Sequence, residues 1–524
     1  MAVLVFLIVL YILLSLSMMK LFEKAGVPSW KALVPGIKEV EWCKLVGRKP
    51  VYALWLLFPV VNIFIYAGLA IDLSRSFGKH SFLDAFMAVV YAPIPYFLLG
   101  RDPQAKYGGP VLTQFRAFRA EYDAAVKAGD KGKIRKMDAT NPYHKSVGRE
   151  WTEAIIFAVF AAAFIRMFLI EAFVIPTSSM EGTLKVGDFL FVSKAHYGIR
   201  TPMTVLQFPL IHNRMPVVNT ESYLKKPTLP YYRLPAMESI DRNESVVFNF
   251  PAGDSVVIVP GRTFDVYQWR RLGYDKQAPN MPVVTRPIDK KDHYIKRCVA
   301  VAGDSLAIRG AQLYINGQVA ANPTHMQYTY QVSNAAGAIS LKKLAEMGVS
   351  LNDAGDPQEG RFNLDAKQVE KIKALGPDVK VEKLQIASPY PGYVYPNDPK
   401  YYGAWTMEDY GPIYIPKAGA TVALTPQSMP FYERLIRDYE LNELEIRGDQ
   451  YLINGQPATT YTFKQNYYWM MGDNRNNSED SRVWGYVPED HIVGKPLFIW
   501  LSGKDGSIFN GVNWDRVFSS ANKF

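Results

Sequence analysis

Cysteine is almost absent from this chain of 524 residues, which contains only Cys43 and Cys298. Two cysteines so far apart cannot form the disulfide framework of a small secreted domain, and we expect no disulfide. The seven histidines are scattered without the spacing of metal ligands, so we expect neither a metal site nor a cofactor. A Gly-x-Ser-x-Gly elbow is also missing, which argues against a hydrolase with a Ser-His-Asp triad.

The formal net charge of +10 does not indicate nucleic-acid binding. Eleven Lys or Arg residues lie between 100 and 150 and seven between 20 and 50, but only two between 71 and 81. Such clusters beside apolar segments are typical of the cytoplasmic loops of membrane proteins. Because no helix-turn-helix or finger pattern accompanies the charge, we expect no nucleic-acid partner.

Four apolar stretches approach the ~20 residues that cross a bilayer. They are 3–19, 51–70, 82–99 and 153–175. The first lacks the basic start and the cleavage site of a signal peptide, so we interpret it as a retained anchor. The third contains Asp84 and two prolines, which leaves a re-entrant or interfacial segment as the alternative to a span. With four spans, the two basic loops face the cytoplasm and everything after residue 175 lies outside.

From Leu184 onward the sequence changes to short alternating strands separated by Gly, Pro and Asn, which predicts a mainly β domain. Leu306–Gln318 and Leu444–Gln456 agree at nine of thirteen positions. Each copy places Asn-Gly after an alternating run, the pattern of a β-hairpin. The segment between the copies, 319–443, contains helix-like stretches and a Tyr/Pro-rich region. We interpret it as an α+β insert that is not needed for peptide-bond cleavage.

Four stretches of the soluble region carry candidate chemistry. They are PTSSMEGTL (176–184), GDFLFVSK (187–194), YIKRCVAVAGD (294–304) and GDNRNNSEDSRVWGYVPE (472–489). Pro176 follows an apolar segment directly, so the serines emerge at the end of that segment, near a membrane surface. Taken alone, a pair of serines is typical of a polar turn, and a lysine in a strand is typical of a solvated edge.

The spacing and order of these stretches resemble the boxes of bacterial type I signal peptidases, membrane-bound serine endopeptidases with a Ser/Lys dyad. The resemblance covers roughly 151–310 and 445–502, and residues 1–107 resemble a separate small membrane module found in front of some bacterial proteins. It implies a multi-pass protein of the bacterial inner membrane whose periplasmic domain removes signal peptides from exported precursors by cutting after small residues. The sequence indicates no oligomeric state.

By this resemblance, Ser179 is the nucleophile, Lys296 is the base, and the Ser179 N–H with the Thr177 hydroxyl forms the oxyanion hole. A lysine can take the proton of a serine only when neutral, a state that burial favours by lowering its pKa. The resemblance assigns the orienting of the lysine to Ser478, a supporting charged network to Asp473, Arg297, Asp480 and Arg482, and the walls of the substrate pockets to Ile175 and Ile295.

Two features depart from the common pattern of that family. Gly182 stands where a proline usually precedes Thr183, which is expected to loosen the turn after the nucleophile, and the insert separates the lysine box from the last box. Neither removes a reacting group. A membrane-anchored binding or assembly protein with an inactive peptidase fold is the main alternative. Such a protein would not need Ser179 or Lys296, so the presence of both residues favours the peptidase. A self-cleaving regulator of similar fold would need a DNA-binding unit.

The predicted fold is a set of N-terminal transmembrane helices followed by a mainly β periplasmic catalytic domain, with antiparallel sheets and an α+β insert. Its predicted parts in chain order are a three-span membrane module (1–100), a basic cytoplasmic loop (101–150), a transmembrane helix (151–175), the first part of the catalytic domain (176–318), the insert (319–443) and the second part of the catalytic domain (444–524).

Overall fold

The chain divides into two compact units, Met1–Ala158 and Val159–Phe524. A computed structural model describes residues 2–57, 61–204, 206–215, 220–251, 253, 255–259, 262–334, 339–351 and 356–522. The first unit is helical and the second is mainly β.

The first unit buries side chains of its first five helices, such as Met18, Trp42 and Leu69, in one apolar core. Its helices are α1 (Ala2–Lys24), α2 (Ile37–Val46), α3 (Val61–Ser76), α4 (Phe82–Tyr91), α5 (Pro93–Arg101), α6 (Val111–Lys127) and α7 (Lys131–Ala139), with 3-10 turns at Ser29–Ala32 and Pro50–Leu57, and α8 (Val147–Phe168) begins in this unit.

The predicted membrane segments correspond to helices only in part. The stretch 3–19 lies within α1. The stretch 51–70 is not one helix, because a 3-10 helix covers Pro50–Leu57, residues 58–60 lie outside the described residues, and α3 follows. The stretch 82–99 is broken between α4 and α5, whose axes differ by 118°. The break lies at Ala92, directly before Pro93, and it fits either a broken span or the re-entrant alternative.

Within the described ranges, α8 is the one helix long and apolar enough to cross a bilayer, and the bent α4–α5 pair would count as a second if it forms one span. The number of spans therefore stays a prediction. The expected helix 151–175 is wrong at its C-terminal end, because α8 ends at Phe168 and Ile170–Val174 is a strand. One apolar run thus serves first as a helix and then as the edge of a sheet.

The largest sheet of the second unit has nine strands, all paired antiparallel, as expected from the alternating pattern. The strands are β1 (Ile170–Val174), β2 (Asp188–Ser193), β3 (Ser245–Asn249), β4 (His293–Ala300), β5 (Tyr467–Met471), β6 (Val487–Pro488), β7 (Ile492–Lys504), β8 (Ser507–Val512) and β9 (Ser519–Ser520). Their order is β1-β2-β7-β3-β4-β5-β6, and β8 and β9 both pair with β7.

This sheet brings three distant stretches of sequence to one place. The turn Ser178–Met180, which carries the predicted nucleophile and is called the nucleophile turn, follows β1. The lysine box (294–304) forms most of β4, and the last box (472–489) begins where β5 ends. The strand β4 lies between β3 and β5, and within it Lys296 pairs with Val246 of β3.

The two sequence repeats form the predicted hairpins. Asn316-Gly317 and Asn454-Gly455 all have positive φ, the backbone that a two-residue type I′ turn requires. The first copy forms Ser305–Arg309, Gln312–Ile315 and Gln318–Val319, and the second forms Leu444–Arg447, Gln450–Ile453 and Gln456–Pro457. The first copy also pairs with Tyr410–Tyr414, whereas the second stands as a separate three-stranded sheet.

The predicted insert 319–443 is not a single module. Its first half has its own core, which contains Val332, Leu344 and Ile372. The second half enters the main core, where Tyr395 and Tyr410 pack against Trp469 of β5. The first half consists of the sheet Tyr328–Asn334, Arg361–Leu364 and Val379–Lys383 with helices Leu341–Glu346 and Ala366–Lys373.

The remaining elements of the second unit are short. They are a sheet of Ser255–Val259, Arg262–Asp265 and Val283–Thr285, a strand pair of Thr421–Ala423 and Thr460–Thr462, the helices Val266–Arg271, Tyr274–Gln277, Pro399–Tyr402, Met429–Arg434 and Ser481–Trp484, the π-helix Leu435–Tyr439, and 3-10 turns at Ser178–Met180, Ile288–Lys290 and Glu489–His491.

Candidate active site

The serine-rich stretch forms a short 3-10 turn, Ser178–Met180, directly after β1. Met180 and Leu184 are buried in a core beneath this turn, together with Leu190 of β2 and Val247 of β3. These apolar anchors fix the turn to the sheet and leave Ser179 half-buried above it.

Lys296 meets Ser179 across this turn. Its Nζ lies 2.6 Å from Ser179 Oγ and 3.1 Å from the carbonyl oxygen of Ile295. Only 5% of Lys296 is exposed. Burial lowers the pKa of Lys296 to about 8, against the opposing charges of Asp480, Asp473 and Glu479. An amine with this pKa is available in its neutral form near neutral pH, so it can accept the proton of a serine hydroxyl.

A cavity of about 320 Å³ opens beside the pair. Ser179 and Lys296 line it together with three residues predicted for the site: Ile175, Ile295 and Thr177. Ile175 is buried, whereas Thr177 is exposed. The structure thus brings the predicted dyad, oxyanion-hole residue and pocket walls into one cleft. Among the described residues, no group of three or more His, Cys, Asp or Glu side chains could hold a metal ion.

Ser478 lies near this cleft but does not make the expected contact. It is buried, and its hydroxyl has no hydrogen-bond partner among the described residues. The predicted bond to Lys296 is therefore not formed in the structure. Ser478 instead lies against Gly472, where an added Cβ would collide with both the Ser478 side chain and the Ser179 carbonyl oxygen. Gly472 thereby allows the last box to approach the nucleophile turn closely.

The four predicted charged residues form two buried ion pairs. Arg297 holds Asp473 through two bonds, Nε to Oδ1 at 2.7 Å and Nη2 to Oδ2 at 2.6 Å. Arg482 holds Asp480 in the same way, with both bonds at 2.8 Å. Burial acts to raise the pKa of the Asp480 carboxyl, but Arg482 outweighs it and lowers the pKa. The Asp480 carboxylate therefore stays charged near Lys296.

Several contacts around the turn were missed from the sequence. Asn477 donates to the Ser178 hydroxyl at 3.1 Å, and the backbone N–H of Asn474 donates to the Ser179 carbonyl at 3.2 Å. Both asparagines lie in the last box, and this position was the feature of the sequence that could have predicted their contacts. Arg516 donates to the Thr183 carbonyl at 3.0 Å while it pairs with a buried aspartate of β2. Nothing in the sequence around Arg516 indicates this role.

Gly182 has a structural role that differs from the expected loosening of the turn. Its φ is +99°, a conformation that favours glycine, and a Cβ there would overlap the carbonyl oxygen of His325. The neighbouring Gln327 also bonds the last box, since its N–H donates to the Asp473 carbonyl at 2.8 Å and its own carbonyl accepts from Arg475 at 2.9 Å. The first residues of the predicted insert, before its first strand, therefore pack directly on the nucleophile turn.

Models of two protein families match parts of this chain. The model of the family described as "Signal peptidase, peptidase S26" matches residues 148–350 and 420–501, more than half of the chain. A family of unknown function (DUF5684) matches residues 30–110.

Three curated relatives carry the name signal peptidase I. The protein of Buchnera aphidicola subsp. Baizongia pistaciae is 23% identical over 382 residues, which are 72% of this chain and 84% of the relative. The protein of Haemophilus influenzae is 24% identical over 369 residues, 70% of this chain and 74% of the relative. The protein of Pseudomonas aeruginosa is 23% identical over 413 residues, 77% of this chain and 88% of the relative.

Proposed function

The chain belongs to the signal peptidase family, peptidase S26, and from this membership we propose that it is a membrane-bound serine endopeptidase that removes signal peptides from exported precursor proteins. The observation that carries the proposal is the 2.6 Å separation of Ser179 Oγ and the buried Lys296 Nζ. A hydroxyl next to an amine of lowered pKa is a nucleophile with its base already in place.

In each of two steps, Lys296 accepts a proton from the attacking group and passes it to the leaving group. Neutral Lys296 takes the proton of Ser179 while Oγ attacks the scissile carbonyl carbon. The negative oxygen that forms is held by the Ser179 N–H and the Thr177 hydroxyl. Protonated Lys296 then gives its proton to the leaving amine, which departs as the new N-terminus of the mature protein. A water molecule hydrolyses the acyl ester in the same manner and restores Ser179.

The substrate is proposed to lie extended between the end of β1 and β4. Side chains of an extended peptide alternate in direction, so the first and third residues before the scissile bond point into the protein. Ile175 and Ile295 wall the cavity there. Branched apolar walls favour small side chains such as alanine at both positions.

The membrane is proposed as the second partner. None of the apolar stretch of α8 is buried within the described structure, as is usual for a helix that faces lipid. A signal peptide lying in the bilayer beside α8 would deliver its cleavage site to Ser179. With the distribution of Lys and Arg, this supports a multi-pass protein of the bacterial inner membrane with its catalytic unit on the periplasmic side.

Cleavage of a precursor by the full-length protein in detergent tests this function. The wild type should cut a precursor at one site behind its signal peptide, and Ser179→Ala should abolish the cut. Ser178→Ala is the matched control. The Ser178 hydroxyl accepts a hydrogen bond from Asn477 and has no proposed part in the chemistry, so this variant should still cleave measurably. If a folded wild type binds the precursor without cutting it, the protein is the inactive binding or assembly form instead.

A further inference from the structure

A second cavity, of about 290 Å³, lies beside the catalytic one. His293, at the start of β4, lines both cavities. One wall is apolar and comes from the last turns of α8, with Phe160, Phe164 and Phe168. The facing wall comes from Glu171 of β1, from Lys194, and from residues at 200–202, 207–212 and 289–293, and it mixes charged side chains with apolar ones such as Phe208. The cavity therefore combines an apolar side that continues the membrane-type helix with a charged side away from it.

Cations outnumber anions in this lining. The cations are Arg166, Lys194, Arg200 and Lys290, and the anions are Glu171 and Asp289. Glu171 is shared by two of the cations, at 2.8 Å from Arg166 Nε and 2.7 Å from Lys194 Nζ. Burial acts to raise the pKa of Glu171, but the cations around it lower the pKa to about 2. The Glu171 carboxylate is therefore charged near neutral pH, and it is already paired with Arg166 and Lys194.

The other two cations have only neutral acceptors. Arg200 donates to the Asn249 amide oxygen at 2.8 Å and to the Asp490 carbonyl oxygen at 2.8 Å, and Lys290 donates to Gln207. Neither forms an ion pair with a carboxylate within the described part of the chain. The carboxylate of Asp289 is held by Thr204, at 2.9 Å from both its N–H and its hydroxyl. Two positive charges of the lining, one buried (Lys290) and one half-buried (Arg200), thus have no carboxylate in direct contact among the described residues, and the nearby Asp289 carboxylate is shared between them.

The cavity also holds a polar atom that lacks a partner. His212 Nε2 is buried and has no hydrogen-bond partner among the described residues. The His212 ring lies against that of His293, with centroids 4.4 Å apart. Burial lowers the pKa of His212 to about 4, so the ring is neutral near neutral pH and its nitrogen is available to a ligand as a donor in one tautomer. Buried polar and charged groups in this state are normally satisfied by a partner.

We propose that this cavity binds the phosphate group of an anionic lipid, with the headgroup between Lys290 and Arg200 and the acyl chains along the phenylalanines of α8. Phosphate oxygens accept charge-assisted hydrogen bonds from Lys and Arg, which would complete the unpaired charge. The apolar wall suits the start of an acyl chain. This proposal rests on the proposed function only in placing α8 at the membrane. A free phosphate ion could accept the same hydrogen bonds as the phosphate group of a lipid.

Native mass spectrometry of the full-length protein, released from a neutral detergent, tests the site. The probes are a short-chain phosphatidylglycerol, the matching phosphatidylcholine, and inorganic phosphate. Wild type should bind one phosphatidylglycerol in preference to phosphatidylcholine, and Lys290→Gln should weaken this binding at least about tenfold, as expected for the loss of one charge-assisted hydrogen bond. Lys290→Arg should retain binding because it keeps the charge.

Lys225→Gln is the control, since Lys225 is an exposed lysine of the same region whose side chain is 48% accessible. It should bind as the wild type does. If Lys290→Gln fails to fold, Arg200→Gln, which changes the other cation proposed to hold the headgroup, replaces it, with the same loss expected. Binding of phosphate alone with the same dependence on Lys290 would assign the site to a free ion. Equal lipid binding by wild type and both cavity variants would overturn the proposal.

All these measurements can be made in the Ser179→Ala background. Lipid binding is then read without turnover, so a failed cleavage proposal and a failed lipid site give different results.

Discussion

Lys296 can take the proton of Ser179 only while its own amine is neutral. Its pKa is lowered to about 8 by burial, so the neutral fraction grows as the pH rises through that value. We expect kcat/KM for a short peptide to rise over this range and to level off above it, because the free enzyme must lose this proton to act as a base. Initial rates measured between about pH 6 and 10 give the profile.

Lys296→Arg should abolish this activity, because arginine stays protonated at every accessible pH and cannot serve as the base. Lys185→Arg, at an exposed position, is the control for the same chemical change. Circular dichroism should show both variants folded. A pH profile that stays flat from acid to alkaline pH, or a tenth of the activity remaining in Lys296→Arg, would contradict the dyad.

The proposed specificity also depends on single side chains, those of Ile175 and Ile295, which line the cavity. A larger substrate residue would clash with these walls at a cost of about 1–3 kcal/mol, by analogy with overpacked cores. The double variant Ile175→Ala/Ile295→Ala should therefore admit bulkier residues at the first and third positions before the cut. Product analysis by mass spectrometry should show additional cleavage sites in one precursor. A wild type that already accepts leucine or phenylalanine there would disprove the pocket assignment.

At the scale of elements, the first half of the insert has its own apolar core, so we expect that it can be removed without unfolding the rest of the second unit. Tyr330, in the central strand of its sheet, is directly paired with Lys383 in one of the two outer strands. Replacing 331–382 by an Asn-Gly turn would close this pair as a hairpin, with the backbone geometry that such turns favour. We expect the shortened protein to fold and to keep cleaving a short peptide, since Ser179 and Lys296 are untouched. Thermal unfolding and peptide assays check both points.

The larger deletion of 319–443 should behave differently. It would remove Tyr395, Tyr410 and Ile436 from the core around Trp469 and leave that core open. Loss of several buried aromatic side chains costs about 3–5 kcal/mol each, more than a domain of marginal stability can lose. The structure therefore argues against the expectation that the whole segment is dispensable. A folded, active protein lacking all of 319–443 would contradict this packing argument.

At the scale of the whole molecule, the open question is which face of the membrane each part occupies. Single cysteines in a protein without Cys43 and Cys298 can report this. Phe509→Cys, at a residue that is 94% exposed, should react with an impermeant maleimide in intact spheroplasts, whereas Lys133→Cys in α7 should react only after lysis. This follows from the positive residues that flank the apolar segments. Labelling of Lys133→Cys from outside would overturn the four-span arrangement.

The sequence by itself determined the features that depend on local pattern or on a short motif. Alternation predicted short strands after Leu184, and the structure forms strands such as Ser245–Asn249 and Ser255–Val259. Asn-Gly predicted both repeat hairpins, because a two-residue turn with positive φ needs only its own residues. The boxes around Ser179 and Lys296 were found in the same way, and the structure places those two side chains within hydrogen-bond distance.

Tertiary structure alone decided what depends on partners far away in the chain. The apolar run 153–175 has one composition, yet it ends as a strand because β2 offers a pairing edge for its last residues. Gly182 marks the close approach of His325, and the pair of Arg516 with Asp188 joins residues that no local pattern connects. Apolar burial and charge pairing depend on distance in space, and the fold sets that distance independently of separation along the chain.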